Sequence, residues 1–281
     1  MHVYKVISHH LIESVNGKNL LTWSFPSITD EMRQFILGKC FVVAKQSNIF
    51  YCLRNQNLWV YVHQILHENN NIALVIVSQE CDVAKYKFIS DLFIKCYLSK
   101  KNPVDLVKLH LKFKSGGGQL VYDKKPTNSK ELVEKFQQET VLIYLALLYK
   151  TRLLVYSSDL EKLQDEILSM ACLVSRWNLS EYFLPLVETP SELKRSFYLA
   201  GVHTDLSRRI DLYDVFVNLD TGEVNVSEKM QGIFTNSKVR NSMAKYFLEV
   251  AQSDMHENEL QQELERRTEE LLRLLNIDCK I

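Results

Sequence analysis

His63 and His67 stand four residues apart, the spacing that would set two metal ligands on one face of a helix. Their neighbours argue against a helix. Trp59-Val-Tyr-Val62 alternates like a strand, and Asn69-Asn-Asn71 follows as a turn. A metal site needs three or four convergent ligands, and no third is indicated, so no metal is expected. His9 and His10 read as strand or turn residues. His203, within Gly201-Val-His-Thr-Asp205, reads as a locally bonded loop residue. Gly116-Gly-Gly118 lacks the Gly-Lys-Ser/Thr ending of a phosphate loop and reads as flexible chain. No Gly-x-Ser-x-Gly elbow anchors a hydrolase triad. In Ser78-Gln-Glu-Cys-Asp82 the flanking acids disfavour a thiolate, which makes Cys81 a poor nucleophile. Asp205, Asp211, Asp214 and Asp220 fall where caps and turns account for them. The expectation is a protein without catalytic residues and without a cofactor.

Composition narrows the class further. The 281 residues carry 34 basic and 34 acidic side chains, a formal net charge of zero. That balance argues against nucleic acid as a partner, which usually draws a basic field. The cysteines, Cys40, Cys52, Cys81, Cys96, Cys172 and Cys279, include no Cys-x-x-Cys pair and read as reduced thiols of a cytosolic protein. Met1-His-Val-Tyr-Lys-Val-Ile7 is too short and polar for a signal sequence. No apolar run reaches the roughly 20 residues that span a bilayer, and neither end carries a lipidation motif.

The elements that must position any site follow from patterning. Val3 to Val15 alternates, Asn16-Gly17 is a hairpin signal, and Leu20 to Phe25 supplies the returning strand. Pro26 ends it, and Ser27-Ile-Thr-Asp30 has capping-box spacing for a helix with Met32, Phe35, Ile36 and Cys40 on one face. Ile49 to Leu53 and Leu58 to Val62 form a second hairpin. Ile72 to Val77 is a buried strand, and Asp82 caps a helix striped by Ile89, Leu92, Phe93, Cys96 and Tyr97. A five-stranded sheet with a helix on each side would bury every one of these faces. Residues 1–100 are therefore read as a longin-like N-terminal lobe.

Residues 101–128, rich in lysine and loop composition, read as a linker, with contact to an anionic membrane as the other reading. Residues 129–281 read as a central lobe with C-terminal helices. Its centre is Thr140-Val-Leu-Ile-Tyr-Leu-Ala-Leu-Leu-Tyr149, apolar on all sides, followed by a basic turn and the buried strand Leu153-Leu-Val-Tyr156. The final helix, from Glu257 on, stripes Leu260, Leu264, Leu271 and Leu275. Docking on its own domain is preferred to a seam for a partner helix. The fold class is α/β (α+β).

Four segments of the central lobe carry a resemblance. Leu142 to Tyr156 resembles the opening of the central DENN domain. Leu173-Val-Ser-Arg-Trp177 with Tyr182-Phe-Leu-Pro185 is similar to its tryptophan and aromatic-proline segment. Phe197-Tyr-Leu-Ala-Gly201 is similar to its turn into the next strand, and Val215-Phe-Val-Asn-Leu-Asp-Thr-Gly-Glu-Val224 to its closing strand and turn. The chain resembles most the short DENN domain-containing protein ten subfamily, through Arg209-Ile-Asp-Leu-Tyr-Asp-Val-Phe-Val-Asn-Leu219, Trp23-Ser-Phe-Pro-Ser27 and Lys39-Cys40. It departs by ending at Ile281, where such proteins continue. The resemblance implies a bilobed DENN fold that binds a Rab-family small GTPase and promotes GDP/GTP exchange, with no reactive side chain required. It also implies a cytoplasmic protein, peripheral on late endosomes, and contact with coiled-coil subunits of an endosomal recycling assembly. Phe25 and Pro26 match the subfamily's aromatic-proline motif and, with Ser27, are read as partner-binding, although Phe25 is equally readable as core. Arg208, Arg209 and Asp211 are the second partner-binding set, with a solvated loop as their plainer reading.

Overall fold

The computed structural model describes residues 5–41, 48–68, 70–115, 122, 128–174, 182–235 and 238–274. Trp177, Leu275, Cys279 and the Gly116–Gly118 cluster lie outside them. The chain divides into two compact units, Met1–Lys125 and Pro126–Ile281.

In the first unit, β1 (Val6–Val15) and β2 (Lys18–Phe25) pair antiparallel around Asn16 and Gly17. Both turn residues have positive φ, 51° and 75°, as a two-residue turn matched to strand twist requires. The helix α1 (Asp30–Lys39) follows, then β3 (Asn48–Asn55), β4 (Leu58–His67), β5 (Asn70–Ser78), α2 (Val83–Lys100) and α3 (Pro103–Lys114). The strands form one five-stranded antiparallel sheet in the order β2-β1-β5-β4-β3. Period-two side chains divide it into two faces. Tyr61 stacks on Tyr86 of α2 at 4.3 Å, whereas Tyr51, on the other face, donates to the carbonyl of Lys39 at the end of α1.

Two local expectations are corrected. The cap of α1 is Thr29, whose hydroxyl accepts from the Met32 amide at 3.3 Å, and not Ser27, which is exposed ahead of the helix. Within the stretch read as linker, Pro103–Lys114 is helical. Asn102 caps it and Pro103 opens it, where a missing N–H costs nothing. Leu106, His110 and Phe113 are its buried stripe.

The second unit opens with α4 (Ser129–Phe136), a 3-10 turn (Gln137–Glu139) and α5 (Thr140–Leu148). All of α5 except Leu142 is buried. The chain then passes into β6 (Arg152–Tyr156), α6 (Leu160–Cys172), β7 (Phe183–Val187) and β8 (Tyr198–Val202). Next come β9 (Val215–Asn218), β10 (Glu223–Val226), α7 (Glu228–Thr235), α8 (Lys238–Ala251) and α9 (Glu257–Leu274). The sheet order is β10-β9-β6-β8-β7, with β6 central and parallel to both neighbours. Pro185 sits in β7, an edge strand interrupted by a register shift, where a missing donor is tolerated. Helices α5 and α6 lie against the sheet. Leu154, Ala200 and Phe216, on its other side, are covered by Leu193, Leu206, Leu212 and Tyr213 of connecting segments.

The final helix docks on its own unit. Leu260, Leu264, Leu271 and Leu272 are buried, and Thr268 hydrogen-bonds the Tyr144 hydroxyl of α5 at 2.8 Å. At its start, the Glu257 carboxylate accepts from the amides of Ser129 and Lys130 at 3.1 and 2.8 Å, capping α4 from far along the chain.

Gly201 of β8 is a position where shape is decisive. A Cβ there would stand 2.5 Å from the Pro185 carbonyl oxygen, which also accepts from Gln164 at 2.8 Å. Gly201→Ala is expected to destabilise by about 1–3 kcal/mol through overpacking, read as a lower urea midpoint. Gly38→Ala in α1, where a Cβ meets nothing within 4 Å, is expected to raise stability by up to about 1 kcal/mol.

Candidate functional site

The residues read as partner-binding fall into two sets, one on each unit. In the first unit, β2 places Trp23 and Phe25 two residues apart, hence on one face of the strand. Their rings stack with centroids 6.5 Å apart. Phe25 and His110 of α3 meet in a T-shaped contact with centroids 5.3 Å apart, and the Phe25 ring is half-buried, while Pro26 and Ser27 are exposed beyond it. Phe25 thus divides between the two readings: one side is packing, the other reaches the surface. The Phe25–Pro26 peptide bond is cis.

Behind Phe25 lies a histidine cluster. His9 of β1 is the cross-strand partner of Phe25, stacks on Phe93 of α2 at 4.3 Å and sets its Nδ1 3.2 Å from Nδ1 of His110. Only one proton fits between those nitrogens. His10 bridges Ser8 at 2.8 Å and Ser24 at 2.9 Å. Since the Ser24 hydroxyl donates to the Pro26 carbonyl, it accepts from Nδ1–H of His10, which leaves Nε2 to accept from Ser8. Burial drives the pKa of His9 well down, helped by His110 and His10 alongside, and burial takes His10 to about 4. Burial lowers His110 as well, with Lys114 adding to it. The two histidines of the metal spacing, His63 and His67, sit on β4 with separate partners, Asn48 and Asp91 for the first and Glu68 for the second. Among the described residues no group of three or more His, Cys, Asp or Glu could hold a metal ion.

The second set lies on the segment between β8 and β9. Arg209 grips the Asp211 carboxylate through Nε and Nη2, both at 2.9 Å, and Arg208 is exposed next to it. Ile210, flanked by these charges, is 71% exposed. Arg152 of β6 anchors the segment. It donates to the Asp211 carbonyl at 2.7 Å and, through Nη2, to the Asp214 carboxylate at 2.9 Å. Burial pulls the Asp214 pKa upward, but the Arg152 hydrogen bonds win and hold it below the usual carboxylate value. Tyr213 and Tyr198 add hydroxyl bonds to the Ser207 and Leu212 carbonyls. The segment is irregular yet fixed, which is how a loop can present anchors at little ordering cost. Ile210 and Arg152 are not marked by the sequence alone. Ile210 lies inside a recognised stretch, but the contact that holds its loop joins residues distant in sequence.

The family described as Stabilization of polarity axis matches residues 127–228, which include β6 through β10. Over the longer span, the chain is 24% identical to DENN domain-containing protein 10 of Danio rerio, across 95% of this chain and 85% of that protein. It is also 24% identical to the Homo sapiens protein of that name, across 93% and 82%. The Dictyostelium discoideum counterpart matches at 24% across 83% and 76%. Over most of its length, the chain is similar to proteins named DENN domain-containing protein 10. The antiparallel five-stranded sheet near the N-terminus, with its flanking helices, agrees with a DENN fold.

The histidine cluster under Phe25 ties stability to pH with a definite sign. Histidines whose folded pKa lies below the ordinary 6.5 contribute stability that is complete above that value and lost as pH falls through the folded pKa, which for His10 is about 4. The urea midpoint of the first unit is expected to be flat above pH 6.5 and to drop below it. A midpoint unchanged through that window would show the rings are not neutral in the folded protein.

Proposed function

We propose that the chain is a DENN-type regulator of a Rab-family small GTPase, promoting GDP/GTP exchange in endosomal membrane traffic. The observation that supports this most is the relation to DENN domain-containing protein 10, which runs through both compact units. Exchange of this kind is differential binding: the regulator must hold the nucleotide-free GTPase more tightly than the loaded one. Such a surface needs fixed aromatic and arginine anchors. Phe25, Pro26 and Ser27 on one unit, and Arg208, Arg209 and Asp211 on the other, are the proposed anchors, with Ile210 as the apolar centre of the second set.

A non-catalytic scaffold docking on coiled coils is the alternative. Among the described residues, Leu260, Leu264 and Leu271 of the α9 stripe are buried within its own unit, and the outer face of the helix carries the exposed Arg266, paired with Glu263 and Glu270. A coiled-coil partner would therefore have to use another surface.

Release of a fluorescent guanine nucleotide from a panel of Rab GTPases, with and without the protein, tests the proposal. Acceleration for at least one GTPase is expected, and acceleration for none would refute it. Ser27→Arg and Arg209→Gln change exposed side chains, and surface substitutions usually alter stability by no more than about 0.5 kcal/mol. Each is expected to slow that release while leaving the melting temperature in place. Phe25→Ala, which also removes the contacts to Trp23 and His110, is expected to lower both.

A further inference from the structure

We infer that the outer face of α3 is a docking surface for an anionic lipid bilayer. This deepens the peripheral, endosomal part of the proposed function and is independent of nucleotide exchange. The buried stripe of α3, Leu106, His110 and Phe113, fixes which way the helix faces. At 3.6 residues per turn the opposite line is Val104, Lys108, Leu111 and Lys112. All four are exposed, the two aliphatics at 55% and 51%. Large aliphatics set outward between lysines are the pattern of a helix lying in a membrane interface.

Charge selects the occupant. Lys100 and Lys101, at the corner where α2 turns into α3, are exposed, as is Lys114 at its end. From Lys100 to Lys114 the lysines are Lys100, Lys101, Lys108, Lys112 and Lys114, against the single acid Asp105. Asp105 is half-buried and lies within 3.1 Å of Lys108 and 3.6 Å of Lys100. Lys101 pairs with Glu68, which ties the corner to the end of β4, where Leu66 is 51% exposed. The balance is positive although the whole chain is neutral. Long lysine stems bring their charge to phosphate level while the aliphatics between them enter the acyl boundary. An acidic protein would satisfy the lysines across a flat contact, whereas a bilayer also offers Val104 and Leu111 an acyl layer to enter.

The experiment is flotation of the full chain with phosphatidylcholine vesicles, with and without phosphatidylserine. Binding is expected only with phosphatidylserine and is expected to weaken with salt. Each lysine near such a surface is worth about fivefold in partitioning. Lys108→Glu combined with Lys112→Glu is thus expected to reduce binding by more than about twentyfold. Val104→Ser combined with Leu111→Ser is expected to reduce it while leaving the salt dependence in place. Both variants alter exposed positions, so unchanged melting temperatures check folding. Absence of binding to phosphatidylserine vesicles at low salt would overturn the inference. So would equal binding by the lysine variant, or binding to polyglutamate without binding to vesicles. Nucleotide release measured in solution without vesicles keeps failure here apart from failure of the exchange proposal.

Discussion

A helix with no polar face exists in water only if something covers every side of it, and α5 imposes that condition on the second unit. Ile143, Tyr144, Leu145, Ala146 and Leu148 are all essentially inaccessible, so sheet, α8 and α9 must close around one cylinder. The aromatic contact of Tyr144 with Phe247 of α8, and its hydroxyl bond to Thr268 of α9, show how the enclosure is made specific. Burial of this kind contributes stability without direction. The polar contacts decide which helix lies where.

The candidate sites depend on that scaffold indirectly. The chain leaves α5 through Lys150, with a positive φ of 51°, and enters β6 at Arg152, the residue that clasps the segment carrying Arg209, Ile210 and Asp211. In the first unit the corresponding work is done by aromatic and imidazole rings. Phe93, His9, His110 and Phe25 form a run of ring contacts from α2 through β1 to the end of β2. Neither site rests on an isolated loop.

Much of this was legible in the residues. Alternation and the Asn16-Gly17 turn marked the first hairpin, and the two apolar runs around Lys150 marked α5 and β6 at nearly their observed bounds. Three features were not, each for a physical reason. Helix α3 was masked by the loop composition that follows it, although Asn102 and Pro103 are a sound start signal. Ser27 matched a cap by spacing, but Thr29 stands where the chain first becomes helical. The histidine cluster draws on β1 and α3, joined by the His9–His110 contact across 101 positions, and local pattern carries no trace of such a meeting. For the sites, composition marked the charged loop, but nothing in it disclosed that Arg152 would hold that loop still.

The cap that Glu257 places on α4 has a consequence for how the protein is made. Ser129 leaves the ribosome well over a hundred positions before the carboxylate that will satisfy its amide, a separation of 128 residues. Closing so long a loop comes late and slowly. Until α9 emerges, the nascent second unit carries an uncapped first helix and an apolar α5 still bare on one flank. That interval is when a chaperone would find the most to hold.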